Sequence, residues 1–596
     1  MKLKFVALLT ALVLLLSACN LNIPSGDGST SENTSAESTV IGGESATGTE
    51  SDDTDTDTDT DVGTAVGSDT GGDSQTDSDA DTDGNKDAET VDGGTASTDS
   101  DTASDDSTAT DTDSDVTTSD CEHSDDDDNG LCDLCRIDVT VTLDLYVIND
   151  LHGKVLSSGS QPGIAGLTAY LQSAMSADDA ALLLASGDMW QGSSESNLTK
   201  GMLINDWLGA LDCVSMTLGN HEFDWGTEYI ASNAEQSEFP FLAINVYDST
   251  TDSRVEYCEA SIVVEVDGLQ VGIIGAIGDC YSSISAEYSS GVYFKTGSQL
   301  TQLVREESER LRAAGVDYVV YSIHDGYGSS SGTVGSLSGN AIRSYYDIAL
   351  SRDGCVDIVF EAHTHQNYVM KDTYGVYHVQ GGGDNKGISH AEVDVNIANG
   401  NSKVNTAEYV QNGKYSTPAT HSLVDALLEK YADIISAGDA VLGKNSSYRS
   451  YDYINNLVAR LYYENGMELW GDEYDIVLGG GLIAARSPYS LAAGDVTYSD
   501  LYSLMPFDND LVLGKISGYY LKRNFFESTN DKYHIYYEQY GAEVYKNIDS
   551  NKMYYIITDT YSSTYYYNHI TEVARLEGGI YARDLLAEYV RDGGLA

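Results

Sequence analysis

Five apolar, strand-like runs between residues 141 and 360 each end in a short polar segment. They cover residues 141–148, 181–185, 214–218, 318–323 and 356–360. Helical patterns lie between them, for example residues 300–313, which are rich in Leu, Arg and Glu and free of Gly and Pro. Strands that alternate with helices predict a layered α/β core. Ligand sites in such sheets lie at the strand ends.

The five polar segments share an unusual set of side chains. They hold five of the chain's eleven histidines, two aspartates and one asparagine, namely Asp150, His152, Asp188, Asn220, His221, His324, His363 and His365. Converging imidazoles and carboxylates without partners would together cost on the order of several kcal/mol. A pair of divalent cations would supply the partners, and this donor set suits Zn, Mn or Fe. The sequence therefore predicts two metal ions at the strand ends.

The motifs also have a recognisable order, which is Asp-x-His, Gly-Asp, Gly-Asn-His-Glu-Phe-Asp, a single His and His-x-His. This order resembles the calcineurin-like metallophosphoesterases, and more narrowly the bacterial 5′-nucleotidase and 2′,3′-cyclic-nucleotide phosphodiesterase family. The resemblance implies a four-layer α/β/β/α domain over residues 140–415 and a mixed α/β substrate-binding domain over residues 420–596. Two departures, Asp325 after His324 and Ala362 before His363, affect loop shape without removing a ligand.

The resemblance further implies a role for each motif residue. The first metal would be held by Asp150, His152 and His365. The second metal would be held by Asn220, His324 and His363, with Asp188 bridging both. His221 would protonate the leaving oxygen or stabilise the transition state as a cation, and Asp224 would orient its imidazole. The implied reaction is attack on phosphorus by a metal-activated water.

Substrate-binding residues of the second domain follow from the same resemblance. Arg449 and Arg486 would contact the ribose or the charged end of a nucleotide. Phe507 in Pro-Phe-Asp-Asn would stack on the base, or else pack in the core, and Asn509 would hydrogen-bond the base. Stacking of a base on an aromatic ring is worth about 1–3 kcal/mol. Tyr561 is the candidate second stacking residue; the alternative is a tyrosine-rich strand surface.

The N-terminus predicts export and a lipid anchor. Two lysines precede the mainly apolar residues 5–16, which are too few to span about 30 Å of hydrocarbon. Leu-Ser-Ala-Cys at residues 16–19 resembles a lipoprotein cleavage site, which makes Cys19 the site of lipid attachment; the alternative is an ordinary signal peptide. We therefore expect an extracytoplasmic protein that is attached to the cell membrane only through this lipid.

Composition separates a stalk from the rest of the chain. Residues 21–140 contain 35 acidic and 2 basic side chains. Residues 20–120, mostly Asp, Thr, Ser and Gly, have too little apolar content to offset the ordering entropy, which predicts a disordered stalk. The formal charge of −64 also argues against a nucleic-acid duplex as partner, because two polyanions repel.

A cysteine and histidine cluster follows the stalk at residues 121–138. Its members, Cys121, His123, Cys132 and Cys135, match the ligand number and softness of a structural zinc site. Disulfides or free thiols are an alternative. A calcium loop beginning at Asp125 is another, although Arg136 stands where a bidentate Glu is needed.

These observations favour an exported two-metal phosphohydrolase that acts on 5′-nucleotides, 2′,3′-cyclic nucleotides or both. Hydrolysis of a nucleotide sugar, of the UDP-sugar type, is the alternative within the enzyme class. A non-catalytic surface binding or adhesion lipoprotein is the alternative outside it. Loss of metal ligands would be expected in a degenerate binder, whereas every ligand position is filled here.

Overall fold

The computed structural model describes most of the chain from residue 123 onward. The described ranges are 123–157, 162–177, 180–285, 287–327, 335–336, 345–481, 490–526, 534–536, 547–565, 569–576 and 580–596. They all belong to one compact unit, Asp115–Ala596. The predicted signal peptide and stalk, with Cys19, Cys121 and Arg486, lie outside the described residues. Within the described ranges, no helix has both the length and the apolar character needed to cross a membrane.

The strands of the N-terminal domain agree closely with the sequence prediction. In chain order they are β1 Thr140–Ile148, β2 Ala181–Ala185, β3 Cys213–Thr217, β4 Phe241–Leu242, β5 Val246–Asp248, β6 Ser261–Val266, β7 Leu269–Ile277, β8 Val292–Phe294, β9 Tyr318–His324, β10 Gly335–Ser336, β11 Ile358–Glu361, β12 Asn367–Lys371, β13 Tyr377–Gly381, β14 Gly387–Asn396 and β15 Ser402–Gln411. The five predicted strands correspond to β1, β2, β3, β9 and β11.

The helices of this domain lie between and after the strands. They are α1 Ile164–Met175, α2 Ser194–Leu198, α3 Met202–Gly209, α4 Thr227–Gln236, α5 Ser298–Ala313, α6 Ala349–Arg352, α7 Ser422–Lys430 and α8 Ala432–Ile435. The predicted helix over residues 300–313 is α5. It begins two residues earlier than predicted, at Ser298.

Two large sheets form the centre of the domain. The first has the strand order β15-β14-β1-β2-β3-β4, and the second has the order β10-β12-β13-β11-β9-β7-β6. Strand β1 is parallel to β2 and β2 to β3, while β9 is parallel to both β7 and β11. Because parallel strands end at one edge of their sheet, the polar segments after β1, β2 and β3 meet there, as do those after β9 and β11.

Burial shows how the layers pack. One apolar core joins the facing surfaces of the two sheets, with Leu143 and Leu184 from the first sheet and Val320 and Phe360 from the second. A second core lies between the first sheet and helices α1, α3 and α7. A third core lies between the second sheet and helices α5 and α6. The predicted four-layer α/β/β/α arrangement is therefore confirmed.

The C-terminal domain is a mixed α/β structure, as predicted. Its strands are β16 Val441–Asn445, β17 Ile476–Gly481, β18 Gly494–Thr497, β19 Leu511–Ser517, β20 His534–Tyr536, β21 Met553–Asp559 and β22 Ile570–Arg575. Its helices are α9 Tyr451–Trp470, α10 Tyr498–Leu504, α11 Gly518–Leu521, α12 Thr560–Tyr565 and α13 Ala582–Arg591. A five-stranded sheet in the order β20-β17-β21-β19-β22 packs one face on α9, α10 and α13.

The loop between α10 and β19, residues 505–510, contacts the N-terminal domain. The Asn197 amide donates to Pro506 O at 2.9 Å, and the Tyr288 hydroxyl donates to Asp508 O at 3.2 Å. The ammonium group of Lys200 lies 3.5 Å from Asp508 Oδ2. Three polar contacts across the boundary thus hold this loop against the first domain.

Within the C-terminal domain, the fully buried side chain of Arg583 contacts the same loop. The Arg583 guanidinium donates to Met505 O at 2.8 Å and to Asp508 Oδ1 at 2.6 Å, and it lies 3.7 Å from the ring centroid of Tyr502. Arg583 is 0% exposed, and Asp508 is also well shielded. Although burial alone would raise the pKa of the Asp508 carboxyl, the charges of Arg583 and Lys200 hold it below its usual value.

We expect Arg583→Ala to lower the free energy of unfolding of the C-terminal domain by about 3–5 kcal/mol. The substitution would leave the Asp508 carboxylate buried without its main counter-charge. Urea denaturation followed by circular dichroism measures the change. Arg352→Ala, which removes an exposed pair with Asp353, is the matched control and should cost less than about 1 kcal/mol. Equal losses in the two variants would contradict this account.

Candidate metal centre

The predicted metal ligands occupy an unusual backbone conformation. Five of them have positive φ angles, which are 49° at Asp150, 50° at His152, 53° at Asp188, 65° at His363 and 54° at His365. Each left-handed non-glycine residue costs about 1–3 kcal/mol, and such strain clusters at functional sites. The polar turns after β1, β2 and β11 therefore hold their side chains in positions that the backbone alone disfavours.

The ligands predicted for the first metal come together. His152 Nε2 lies 3.0 Å from His365 Nε2, and His365 Nε2 lies 3.5 Å from Asp150 Oδ1. One donor atom from each of the three residues lies within 4.8 Å of the others. Both Asp150 and His152 are buried. Two imidazole nitrogens and a carboxylate oxygen at this spacing can coordinate one cation.

The ligands predicted for the second metal lie next to this group. His324 Nε2 is 3.1 Å from Asp188 Oδ2 and 3.9 Å from Asp150 Oδ1, and the His324 and His363 ring centroids are 5.5 Å apart. Among the described residues, Asn220 Oδ1 and His363 Nδ1 are buried atoms without a hydrogen-bond partner. Asp188 lies between the two groups of side chains. The residues therefore fit a pair of adjacent divalent cations.

The ionisable side chains of the site favour binding of a cation. Burial alone would raise the pKa of Asp188, but His324 and His221 hold it well below its usual value. Burial would lower the pKa of His324, yet Asp188 raises it to about 10, so a metal bound at His324 would have to displace the proton on Nε2 that faces Asp188. Burial lowers the pKa of His363 to about 4. The buried carboxylate of Asp188 is thus ionised and stabilises positive charge beside it.

Neighbouring groups orient the ligands. The Nδ1 atoms of His152 and His324 lie 2.9 Å from Gln191 O and 2.7 Å from Ser186 O, respectively. A backbone carbonyl at Nδ1 selects the tautomer whose Nε2 lone pair is available for a metal. The backbone N–H of His363 donates to both carboxylate oxygens of Asp150, at 3.1 and 2.9 Å.

The carboxylate of Glu222 holds the turn that carries Asp188. It accepts hydrogen bonds from the backbone N–H groups of Asp188, Met189 and Gly219, at 2.9, 2.8 and 2.7 Å. Glu222 is 0% exposed, and burial raises its pKa to about 7. Glu222 lies inside the Gly-Asn-His-Glu-Phe-Asp motif, but nothing in the sequence marks it as a functional residue.

Gln380, the first residue of a segment before Asp384 for which the sequence indicates a structural role, has an equivalent role at the His-x-His turn. Its Oε1 accepts from Thr364 Oγ1 at 3.0 Å and from the Gln366 N–H at 2.8 Å, while its Nε2 donates to Ala362 O at 2.8 Å. The sequence offered only its position before a glycine-rich turn as a signal. Gln380 therefore fixes the loop that carries His363 and His365.

His221 and Asp224 lie at the open side of the site. His221 Nδ1 is 2.8 Å from Asp224 Oδ2, and the backbone N–H of His221 donates to Asp188 Oδ1 at 2.8 Å. The His221 side chain is 22% exposed, and its ring centroid is 5.2 Å from that of His152. His221 thus combines contact with solvent, a carboxylate partner and a position beside the ligands.

Phe507 is the predicted substrate-binding residue that the structure brings to this centre. Its ring stacks on that of His221, with centroids 5.5 Å apart and an interplanar angle of 29°. The contacts of the 505–510 loop with Asn197, Tyr288 and Lys200 hold Phe507 beside His221, although Phe507 belongs to the C-terminal domain.

The other predicted substrate-binding residues have different neighbours. Arg449 Nε donates to Asn445 Oδ1 at 3.2 Å, and the guanidinium packs over the ring of Tyr453. Asn509 Oδ1 accepts from Thr560 Oγ1 at 3.2 Å. Tyr561 is 44% exposed at the start of α12.

Comparison with known proteins identifies the class. Residues 143–367 match the family model of the calcineurin-like phosphoesterases, and residues 453–550 match that of the 5′-nucleotidase C-terminal domain. With the four-layer fold and the converging ligands, these matches define a metallophosphoesterase. Calcineurin-like phosphoesterases use divalent metals, in keeping with the residue groups that could hold them here.

Proteins similar in sequence to this chain include a nucleotidase and an endonuclease. The chain is 24% identical to a 5′-nucleotidase from Vibrio cholerae over 62% of this chain and 73% of the relative. It is 26% identical to the endonuclease YhcR from Bacillus subtilis over 63% of this chain but only 32% of that much longer protein. A 5′-nucleotidase precursor structure from Thermus thermophilus superposes with a TM-score of 0.58 at 18% identity, covering 76% of this chain and 96% of its own.

The chain therefore combines a calcineurin-like phosphoesterase domain with a 5′-nucleotidase C-terminal domain, the combination that the resemblance in the sequence predicted. The predicted class, a metal-dependent phosphoric ester hydrolase, is confirmed with it.

We expect Glu222→Gln to weaken binding of Mn²⁺ by about 10–100-fold, as is usual when a group that orients metal ligands is changed. The new amide would present N–H groups toward backbone donors and leave at least one of them unsatisfied. Calorimetric titration of metal-depleted protein measures the affinity. Glu235→Gln, at an exposed position of α4, is the control. Unchanged affinity in Glu222→Gln would show that this carboxylate does not organise the site.

Proposed function

We propose that this protein is an exported, two-metal phosphohydrolase that releases phosphate from 5′-nucleotides, hydrolyses 2′,3′-cyclic nucleotides, or does both. The observation that carries the proposal is the convergence of two metal-ligand groups and the His221–Asp224 pair with an aromatic ring from the second domain. In hydrolysis of a nucleotide phosphoester, the metal ligands would activate water, the His221–Asp224 pair would transfer a proton and the aromatic ring would bind the base.

The proposed ligand sets follow the two groups of side chains. Asp150, His152 and His365 would hold one cation. Asn220, His324 and His363 would hold the other, and Asp188 would contact both. The spacing of the donor atoms, the ionised state of Asp188 and the buried unpartnered atoms support this division. Nitrogen and oxygen donors suit Zn, Mn or Fe.

The bound cations would supply Lewis acidity, which lowers the pKa of a water and neutralises charge on the phosphoryl oxygens. The chain's own residues provide positioning and proton transfer. His221 is half-buried at the open side, where its Nε2 can donate a proton to the leaving oxygen of the substrate. Asp224 accepts from Nδ1, which orients the ring.

A nucleotide is the proposed substrate because of the aromatic ring beside the phosphate site. Phe507 reaches His221 from the C-terminal domain, the part of the chain that matches the 5′-nucleotidase C-terminal model. An aromatic side chain can stack on any of the bases. Arg449, Asn509 and Tyr561, and Arg486 outside the described residues, remain proposed contacts to the rest of the nucleotide.

The proposed location is the outer face of the cell membrane. Its support is in the sequence, where an apolar run too short to span a bilayer precedes Cys19 in a lipoprotein-like cleavage motif. The acidic stalk over residues 20–120 would extend the enzyme away from the anchor. Palmitate labelling of the protein, and its loss in Cys19→Ser, tests this part of the proposal.

We expect His221→Ala to lower kcat for AMP by about 100- to 10,000-fold with unchanged metal content, because it removes the proton donor and leaves the ligands in place. Asp224→Asn should cause a smaller loss. Product chromatography with AMP, 3′-AMP, 2′,3′-cyclic AMP and UDP-glucose identifies the preferred phosphoester.

The matched control is His390→Gln, a half-buried histidine of β14 that pairs with Asp144 away from the ligand groups. It should retain wild-type turnover. Full activity of His221→Ala would contradict the assigned role. Wild-type protein that binds the metals but hydrolyses none of the four compounds would favour a surface binding protein instead.

We expect Phe507→Leu to raise KM for AMP by about 5- to 150-fold, which corresponds to the loss of 1–3 kcal/mol of stacking. Ribose 5-phosphate, which lacks a base, should show little change. Phe507→Tyr keeps an aromatic face and serves as the control. An equal effect of Phe507→Leu on both substrates would mean that the ring supports the site without contacting the base.

A further inference from the structure

A second group of metal-type ligands lies near residue 123, separate from the phosphoesterase site. It consists of His123, Cys132 and Cys135, and one donor atom from each lies within 4.8 Å of the others. Cys135 Sγ is 3.5 Å from His123 Nδ1, and the side chain of Cys132 is fully shielded from solvent. Cys132 and Cys135 do not form a disulfide with each other.

Short backbone hydrogen bonds bring these ligands together. The Cys132 N–H donates to Ile137 O at 2.8 Å, and the Arg136 N–H donates to Cys132 O at 2.8 Å, which closes a tight turn around the second cysteine. The Asp133 N–H donates to Ser124 O at 2.7 Å and draws the histidine segment onto that turn. The ligand geometry is therefore built into a folded hairpin.

The hairpin is joined to the main domain at the far end of β1. Asp125 Oδ2 accepts from the Asn396 amide at 2.8 Å, and Asp125 O accepts from the Asn399 amide at 3.1 Å. The Ile397 N–H donates to Val139 O at 2.9 Å. Nine-residue β1 at about 3.3 Å per residue separates this junction from Asp150 by about 30 Å.

The same contacts argue against calcium at Asp125. Its carboxylate accepts from the backbone N–H groups of Asn129, at 3.0 Å, and Gly130, at 2.7 Å, as well as from Asn396. These donors occupy the oxygens that a calcium loop would present to the ion. Asp125 instead stabilises the turn and joins it to the β14–β15 connection.

We propose that His123, Cys132 and Cys135 bind one structural zinc ion that braces the chain where it enters β1. Sulfur and imidazole donors select a softer metal than the nitrogen and oxygen donors of the catalytic site, so the two kinds of site differ in chemistry. Cys121, the fourth ligand predicted from spacing, lies outside the described residues. At about 30 Å from the reacting groups, the zinc supports the junction between stalk and enzyme and takes no part in hydrolysis.

Zinc content of the full-length protein tests the proposal. Wild-type chain, freed of loosely held metal and reloaded with Mn²⁺ at the catalytic site, should retain about one zinc per chain. The double variant Cys132→Ser, Cys135→Ser should lose that zinc and hydrolyse AMP within about twofold of wild type. Cys355→Ser, which removes a buried thiol elsewhere, is the matched control and should keep the zinc. Equal zinc in the double variant and in wild type would overturn the proposal.

A spectroscopic measurement covers the case in which the double variant does not fold. Wild-type protein exchanged with Co²⁺ should show sulfur-to-cobalt charge-transfer absorption. Because the Cys280 thiol lies beside His324 and His363 in the catalytic site, the Cys280→Ser variant should show the same bands. Absence of these bands in folded wild-type protein would overturn the proposal whatever the variant does. Both readouts measure metal at sulfur, so they remain informative even if the enzyme hydrolyses no nucleotide.

Discussion

The buried, ionised carboxylate of Asp188 is the charge around which the site is organised. It lies 3.1 Å from His324, accepts the backbone N–H of His221, and its own backbone N–H is held by Glu222. An isolated carboxylate this deep would be too costly, so its neighbours must supply positive charge or donors. The left-handed turns at Asp150 and His363 add a smaller cost, about 1–3 kcal/mol for each residue. Binding of metal cations would give a physical reason for the buried carboxylate and for the left-handed turns.

Among the described residues, the second domain contributes to the candidate site through the short loop 505–510. Arg583 holds the 505–510 loop from within its own domain, and Lys200 and Asn197 hold it from the other. As a result Phe507 stacks on His221, although the two residues are 286 positions apart in the sequence. The proposed substrate recognition by Phe507 and proton transfer by His221 thus depend on one interface, and the ion pair of Asp508 with Lys200 connects its two sides.

The positions of the five strands that lead into the site, and the side chains at their ends, were predictable because the apolar runs and their polar ends are local features. The ends of β1, β2, β3, β9 and β11 lie within two residues of prediction. The hydrogen-bond partners of Glu222 and Gln380 could not be predicted, for a physical reason. Each acts through backbone N–H or carbonyl groups of distant turns, and a sequence does not reveal such partners. Arg449 likewise has neighbours that spacing alone could not specify.

By itself, the sequence determined the alternation of strands and helices, the donor set of the metal centre and the family. Those properties depend on residue type and short spacing, which the chain carries locally. Only the tertiary structure decided that Phe507 faces His221, that Asp125 caps a turn instead of presenting its oxygens to calcium, and that a thiol and imidazole cluster lies at the opposite end of β1. These relations depend on which segments pack together, and packing is set by the whole core at once.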